Sequence, residues 1–455
     1  IFILIYMKNI FFLSVDSLRS DHVFSSNKKS QTPNIDKLVK NGLYFSQAFS
    51  ASDATLFSWS SMFSGLFPFK TGINESLHFN KINNDVTTIF KHLSQKNYNF
   101  YGFRPKLSET IGLFPNFLNK NFLYDINDSL DDNLGKNILE LLTTVKLQEP
   151  WFCFIHLNDL HFPIRVPEKF NKLQYGKSKY ERALFNVDSW IGKFLESINL
   201  DDTLFILTAD HGSYIKFLEI DNKKFDFEEI ASNELTKSSI TKKIPKFLKP
   251  VKDNFFYKNE IKKNKQRKKQ LEDTNLTISQ KRELSEGKFE IDHTLFDPKL
   301  RIPLLFVNNS IKHNIVDKLV RSVDIFPTIC GFLNIKIEEN LDGINLLSDS
   351  SSENLIAYIE STPLIDINSN DVIGIRTSDF KYFRNTSNPK EMIHLYNLKN
   401  DLNEENNLVS SDSAKVKEME ELLLTIIQNS PDKSNKINDD DSSIIEEELK
   451  KMGYV

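Results

Sequence analysis

A chain of 455 residues with 40% hydrophobic and 26% charged content is long enough to bury one large core, or a large core beside a small one, and is neither fibrous nor disordered in composition. Its net charge of −4 gives no global reason to expect nucleic acid or an anionic membrane as a partner. Two cysteines, Cys153 and Cys330, sit among apolar neighbours and read as core, which excludes a disulfide scaffold.

The opening Ile1–Tyr6 is apolar but too short to span a membrane, and it lacks the basic segment and small-residue cleavage site of a signal peptide. With Met7 as an alternative start, the expectation is a cytoplasmic chain without a transmembrane segment. Asn9 to Val15 is a buried-strand run that ends directly in Asp16. Thr32 to Gly42 carries helix brackets: a threonine, then Pro33 at the first helical position, and a closing glycine. Thr55 opens an apolar helical segment closed by Gly65.

Beyond it, helical patterns at Thr87–Gln95, Leu134–Val145 and Tyr180–Ile198 alternate with strand patterns at Tyr98–Phe103, Trp151–Leu157 and Thr203–Thr208. The pattern predicts an α/β fold, a mostly parallel central sheet with helices on both faces. Strands at Leu355–Ile359, Val372–Arg376 and Lys381–Arg384 predict a small antiparallel C-terminal subdomain, with an amphipathic helix at Ala414–Ile427. The acidic stretch Asp439–Ser443 reads as a loose linker before a last helix at Ile444–Met452. The expected division is a catalytic domain at 7–313, a subdomain at 314–410 and a helical tail at 411–455.

In such sheets chemistry collects at the carboxyl ends of the strands. Here those ends read Asp16-Ser17, His156-Leu157-Asn158-Asp159-Leu160-His161 and Ala209-Asp210-His211-Gly212. Asp16, Asp210 and His211 form a mixed oxygen and nitrogen set suited to a divalent cation. Thr55, at a helix N-terminus, reads either as a cap or as a nucleophile favoured by the helix dipole and unpaired N–H groups.

These residues carry a family resemblance. Val15 to His22, Thr32-Pro33-Asn34-Ile35-Asp36, Thr55 with Gly65-Leu66-Phe67-Pro68 and Thr71-Gly72, and Thr208 to Gly212 resemble the sulfatase branch of the alkaline-phosphatase superfamily. So do His293 with Leu295-Phe296-Asp297, Arg301-Ile302-Pro303-Leu304, Val323 to Thr328, and Ile375 to Tyr382. The resemblance implies an alkaline-phosphatase/sulfatase-like fold and a metal-dependent ester hydrolase. It also shows departures. Sulfatases carry a cysteine or serine, oxidised to formylglycine, where this chain has Thr55, and a proline and an arginine where it has Phe57 and Trp59; the second aspartate of their usual pair is Ser17.

A plain threonine suits attack on phosphorus, so the expected function is hydrolysis of a phosphate mono- or diester in preference to a sulfate ester. The alternatives are a sulfuric ester hydrolase, a phospho-group transferase and a non-catalytic binding member. The expected site is one divalent ion (Mn, Zn, Mg or Ca) on Asp16, Thr55, Asp210 and His211, with His161 and His293 serving the leaving group. His156, Arg19 and Arg301 would contact an anionic small-molecule, glycan or lipid ester, with the two arginines reading equally well as partners of Asp16 or Asp297. Between Gly212 and His293 lies an insertion, 213–292, carrying a net +10 between 237 and 288; it reads as a solvated run or as a cationic lid over the site.

Overall fold

The computed structural model describes residues 8–73, 81–126, 128–228, 262, 264–285, 294–348, 355–361 and 371–428. Ile1–Tyr6, Met7, His293, the acidic linker and the last expected helix lie outside them.

Asn9–Val15 (β1) is apolar on both faces and fully buried, as a central strand covered on either side must be. Its neighbours are Trp151–Leu157 (β5) and Thr203–Thr208 (β6), both parallel to it and both buried throughout. The eight strands run in the order β10-β2-β9-β6-β1-β5-β3-β4. Here β2 is Leu43–Phe49, β3 Asn99–Pro105, β4 Leu123–Tyr124, β9 Arg301–Val307 and β10 Asn314–Arg321. Only β9 runs antiparallel to its neighbours, β2 and β6.

Helices cover both faces. The helices Pro33–Asn41 and Lys179–Leu195 pack together, locked where both oxygens of the Asp188 carboxylate accept from the backbone of Asn34 and Ile35. The Thr55–Ser64 helix is buried on every side from Leu56 to Ser64. Its Phe63 rests against Phe12, Phe90, Phe114 and Phe154 at centroid distances of 5.0 to 5.6 Å, so truncating it to alanine would cost about 3–5 kcal/mol. Two buried serines of this helix are satisfied locally, since Ser60 donates to the Phe57 carbonyl and Ser64 to that of Ser60.

The expected domain limits shift. β10, placed by its sequence in the C-terminal subdomain, pairs in parallel with β2 in the main sheet, and the helix Ile325–Phe332 joins the main core. Hydrophobic area decides this, because Ile325, Phe326 and Ile329 are fully buried against the large core. The small sheet is β11 (Ala357–Ser361), β12 (Val372–Arg376), β13 (Phe380–Asn385) and β14 (His394–Asn397), all antiparallel. The helix Ser413–Gln428 packs on that sheet through Met419 and Leu423, so it belongs to the subdomain and not to a separate tail.

The described parts of the insertion are folded. A hairpin, β7 (Phe217–Ile220) and β8 (Lys223–Asp226), shares a small apolar cluster with Leu271, Leu276 and Leu284 from the helical residues 264–272 and 278–285.

Candidate active site

Register alone brings the strand ends together. Ser14 pairs with His156 on one side and Thr208 on the other, so the residues after β1, β5 and β6 emerge along one edge. Asp16 is held there by its own N–H, which donates to the Leu157 carbonyl at 2.8 Å. Ser17 follows in a left-handed conformation, φ 61°, which a non-glycine residue adopts only where its surroundings hold it. They do so here: its hydroxyl donates to Asp16 Oδ1 at 2.8 Å, its N–H points to Asp210 Oδ1 at 3.3 Å, and its carbonyl accepts from Tyr180.

Asp210 is fully buried, and its Oδ1 also accepts from the His211 N–H at 2.8 Å. The Ser58 hydroxyl donates to the Asp210 carbonyl at 2.6 Å, which ties the Thr55 helix to the end of β6. Gly212 is required, since a Cβ there would lie 2.2 Å from the Pro298 carbonyl oxygen. His211 Nδ1 contacts the Gly212 carbonyl at 2.8 Å and must be the donor, which leaves Nε2 turned to the site. That nitrogen lies 3.6 Å from Asp210 Oδ2, 3.9 Å from Asp16 Oδ1 and 3.4 Å from Thr55 Oγ1.

Thr55 is the first helical residue, and the capping position belongs to Ala54. Its hydroxyl makes no cap hydrogen bond; it faces His211 and, at 3.5 Å, Asp16 Oδ2. Asp16, Thr55, Asp210 and His211, which the sequence reading grouped, therefore stand side by side.

The structure adds His156 to them. His156 is fully buried, its Nε2 lies 3.6 Å from Asp16 Oδ2, and its ring meets Trp59 edge-on at 4.6 Å. It is too deep for the substrate contact expected of it. Its position follows from the parallel pairing of β1 with β5, a signal available once the two apolar runs are aligned at their polar ends. Trp59 stands where the resemblance has an arginine, so the base of the Thr55 helix presents an apolar ring and no cation.

Donor atoms of Asp16, His156 and Asp210 all lie within 4.8 Å of one another. Among the described residues, both ring nitrogens of His156 and Asp210 Oδ2 are buried without a hydrogen-bond partner. Unpaired buried polar atoms are costly, and a divalent cation could be shared by Asp210 Oδ2, Asp16 and one His156 nitrogen, so the residues present fit a metal ion. The electrostatics agree. Burial alone would raise the Asp16 pKa, yet His161, His156 and His211 hold it below the usual carboxylate range. Burial works against charge on His211, but Asp210 and Asp16 outweigh it and raise its pKa to about 9.

The remaining expected residues fall elsewhere. His161 lines a cleft beside the cluster, with its N–H donating to the Asn158 carbonyl at 3.0 Å. Arg19 is engaged: its guanidinium grips both Asp21 oxygens at 2.9 and 2.8 Å and pairs with Glu283 from the insertion. Arg301 donates twice to the Ser46 carbonyl, at 3.0 and 2.7 Å, and serves the β2–β9 junction. Neither arginine is turned to the reaction centre, because a nearer acceptor takes each one.

Comparison with known proteins gives the family and the fold. The family model described as Sulfatase matches residues 8–335. An uncharacterized protein of Haemophilus influenzae is 26% identical over 227 residues, 48% of this chain, and the match spans 33% of that relative's length. Among solved structures, the phosphonate monoester hydrolase of Agrobacterium radiobacter superposes with a TM-score of 0.61 at 15% identity, covering 92% of this chain and 95% of that one. A 2-O GAG sulfatase gives 0.65 at 15% identity over 96% of both chains. At these identities the likeness is one of fold.

Proposed function

The chain belongs to the sulfatase family of ester hydrolases, and from that premise we propose that it cleaves a phosphate mono- or diester with Thr55 as the nucleophile and one divalent cation as cofactor. The observation that carries the proposal is the Thr55 hydroxyl, released from capping and set 3.5 Å from Asp16 and 3.4 Å from His211.

Asp16, Asp210 and His211, with His156 in reach, would hold the cation, which when bound supplies charge neutralisation at the transferring oxyanion. The chain's own residues account for the rest. The Thr55 oxygen attacks phosphorus from the first turn of a helix, where unpaired N–H groups and the positive end of the dipole favour developing negative charge. The leaving alkoxide needs a proton, and we assign that donation to His161, which lines the adjoining cleft. Water then hydrolyses the phospho-threonine.

Sulfate is the poorer substrate on this reading. A formylglycine hydrate expels sulfate by collapse of its own C–O bond, and a threonine ester has no such exit. The apolar Trp59 also removes the cation that the family places beneath the nucleophile. The family as a whole favours the sulfuric ester reading, and one comparison decides between the two. With 4-nitrophenyl phosphate and 4-nitrophenyl sulfate on the metal-loaded chain, kcat/KM is expected to be higher for the phosphate, with a burst of nitrophenol equal to one site. Faster turnover of the sulfate overturns the proposal.

A further inference from the structure

Beside the Asp16, His156 and Asp210 cluster, a small open cleft of about 40 Å³ lies between the end of β5 and the loop before the helix Gly135–Thr143. It has room for a hydroxyl or an ammonium head and not for a whole small molecule. His161 lines it and lies close enough to help hold the Asp16 carboxyl below its usual range. Ile126, Phe162 and Pro163 supply apolar wall, and Asn158 and Asp159 supply the polar part.

Asp159 is only 8% exposed; its Oδ1 accepts the Leu130 N–H at 3.1 Å, and its Oδ2 is buried with no partner among the described residues. Asn158, also 8% exposed, donates its Nδ2 to the Ile126 carbonyl at 3.3 Å, which fixes the amide and leaves Oδ1 as an acceptor. That oxygen is unpartnered too. Two adjacent buried acceptors without donors are costly in a folded protein and call for an outside donor. Burial, with Asp131 and Asp132 nearby, pushes the Asp159 carboxyl up to about 7 against the pull of the Leu130 N–H, a further sign that positive or proton-bearing groups are welcome there.

We propose that Asp159 and Asn158 form a subsite for the alcohol half of the ester and select an alcohol that carries a second hydrogen-bond donor, a hydroxyl or an ammonium. A plain alkyl or aryl alcohol would bury both acceptors unpaired, and sites of this kind reject analogues that lack the donor. The subsite rests on the ester-hydrolase reading above, and its test separates the two.

The experiment measures kcat/KM for ethyl, 2-hydroxyethyl and 2-aminoethyl phosphate on the full metal-loaded chain and on Asp159→Asn, which keeps the Leu130 bond and replaces the unpartnered oxygen with NH2. The ratio of donor-bearing to ethyl ester is the readout, so any general loss of activity cancels. We expect a ratio of about tenfold or more in the native chain, falling to within about twofold in the variant, and the larger of the two ratios identifies hydroxyl or ammonium as the donor. A native ratio near one, or a ratio that survives the substitution, overturns the proposal. Asn158→Ala gives the same readout if Asp159→Asn does not fold. Should only the matched sulfate esters turn over, the phosphate reading fails and the same ratios test the subsite. Should no ester turn over, titration calorimetry of the three phosphates replaces kinetics, with tighter binding of the donor-bearing esters expected and its absence fatal.

Discussion

Two buried charge clusters in this molecule look alike in composition and differ in completeness. Behind the small sheet, Lys381 is fully buried between Asp297 and Glu404, Arg376 approaches Asp297 at 3.4 Å, and Glu404 accepts the Asp297 N–H at 2.9 Å. Every charge there has an opposite within the protein. At the sheet edge, Asp16, His156 and Asp210 are as deep, yet Asp210 Oδ2 and the His156 ring have no hydrogen-bond partner among the described residues. A cluster that closes on itself fastens two parts of a fold. One left open has a ligand to receive.

The largest effect that separates them is catalytic. Thr55→Ala is expected to lower kcat by about a thousandfold or more, the scale on which nucleophile loss is felt, with a melting temperature close to native. Because Ala54 holds the cap position, the ~1 kcal/mol loss of a capping threonine is not expected. Steady-state turnover and a thermal melt on one preparation check both halves.

Next is stability against metal. Asp297→Asn strips a partner from a buried lysine and should destabilise the chain by about 3–5 kcal/mol, seen as a lower denaturation midpoint, while leaving the metal response intact. His156→Ala should do the reverse. It loses the rise in melting temperature that excess Mn²⁺ gives the native chain, a rise worth about 2.7 kcal/mol at a hundredfold excess over Kd, and chelation should return the native chain to its unloaded value. Equal metal responses in the two variants would erase the contrast.

A smaller effect comes from Glu360, whose pKa burial raises to about 8, helped by Asp371 and Asp53 and opposed by the Tyr358 hydroxyl. The folded chain thus holds this proton more tightly than the unfolded one. That stabilisation is whole below the ordinary value of 4.5 and is lost as pH rises toward 8. Glu360→Gln removes the titration, so the loss of melting temperature between pH 5 and 8 should be shallower than in the native chain. The smallest effect is reserved for Arg301→Lys. Its partner is the Ser46 carbonyl, so kcat/KM should change by less than about threefold.

Much of this was legible in the residues. β5, β6 and β12 begin and end where they were expected to, because strands that are almost wholly buried stand out as continuous apolar runs between polar chain. The grouping of Asp16, Asp210 and His211 follows from strand ends, and Thr55 joins them through its place at a helix start and the family resemblance. β10 was not legible, since its exposed first half reads as polar chain and only pairing with β2 makes it a strand of the large sheet. A histidine one residue from a strand end, as His156 is, reads as a rim contact; the register that sinks it beside Asp16 is a pairwise property. Arg19 and Arg301 read as anion contacts since composition cannot reveal that Asp21, Glu283 and the Ser46 carbonyl are nearer.

The junction of the nucleophile loop with the small sheet bears on when the site can exist. Glu360 N–H donates to the Ala51 carbonyl at 2.9 Å, Ser52 bridges to Glu360, and Ser361 donates to Asp53 at 2.8 Å. The backbone leading into Thr55 is thus held by residues made some three hundred positions later in synthesis. A chain growing from its N-terminus can pair β1 with β5 and β6 once residue 208 is made, but it cannot fix its reactive threonine until the last third has emerged and docked. Contacts of such sequence separation form slowly, and the partly made chain passes its long nascent period without a competent site.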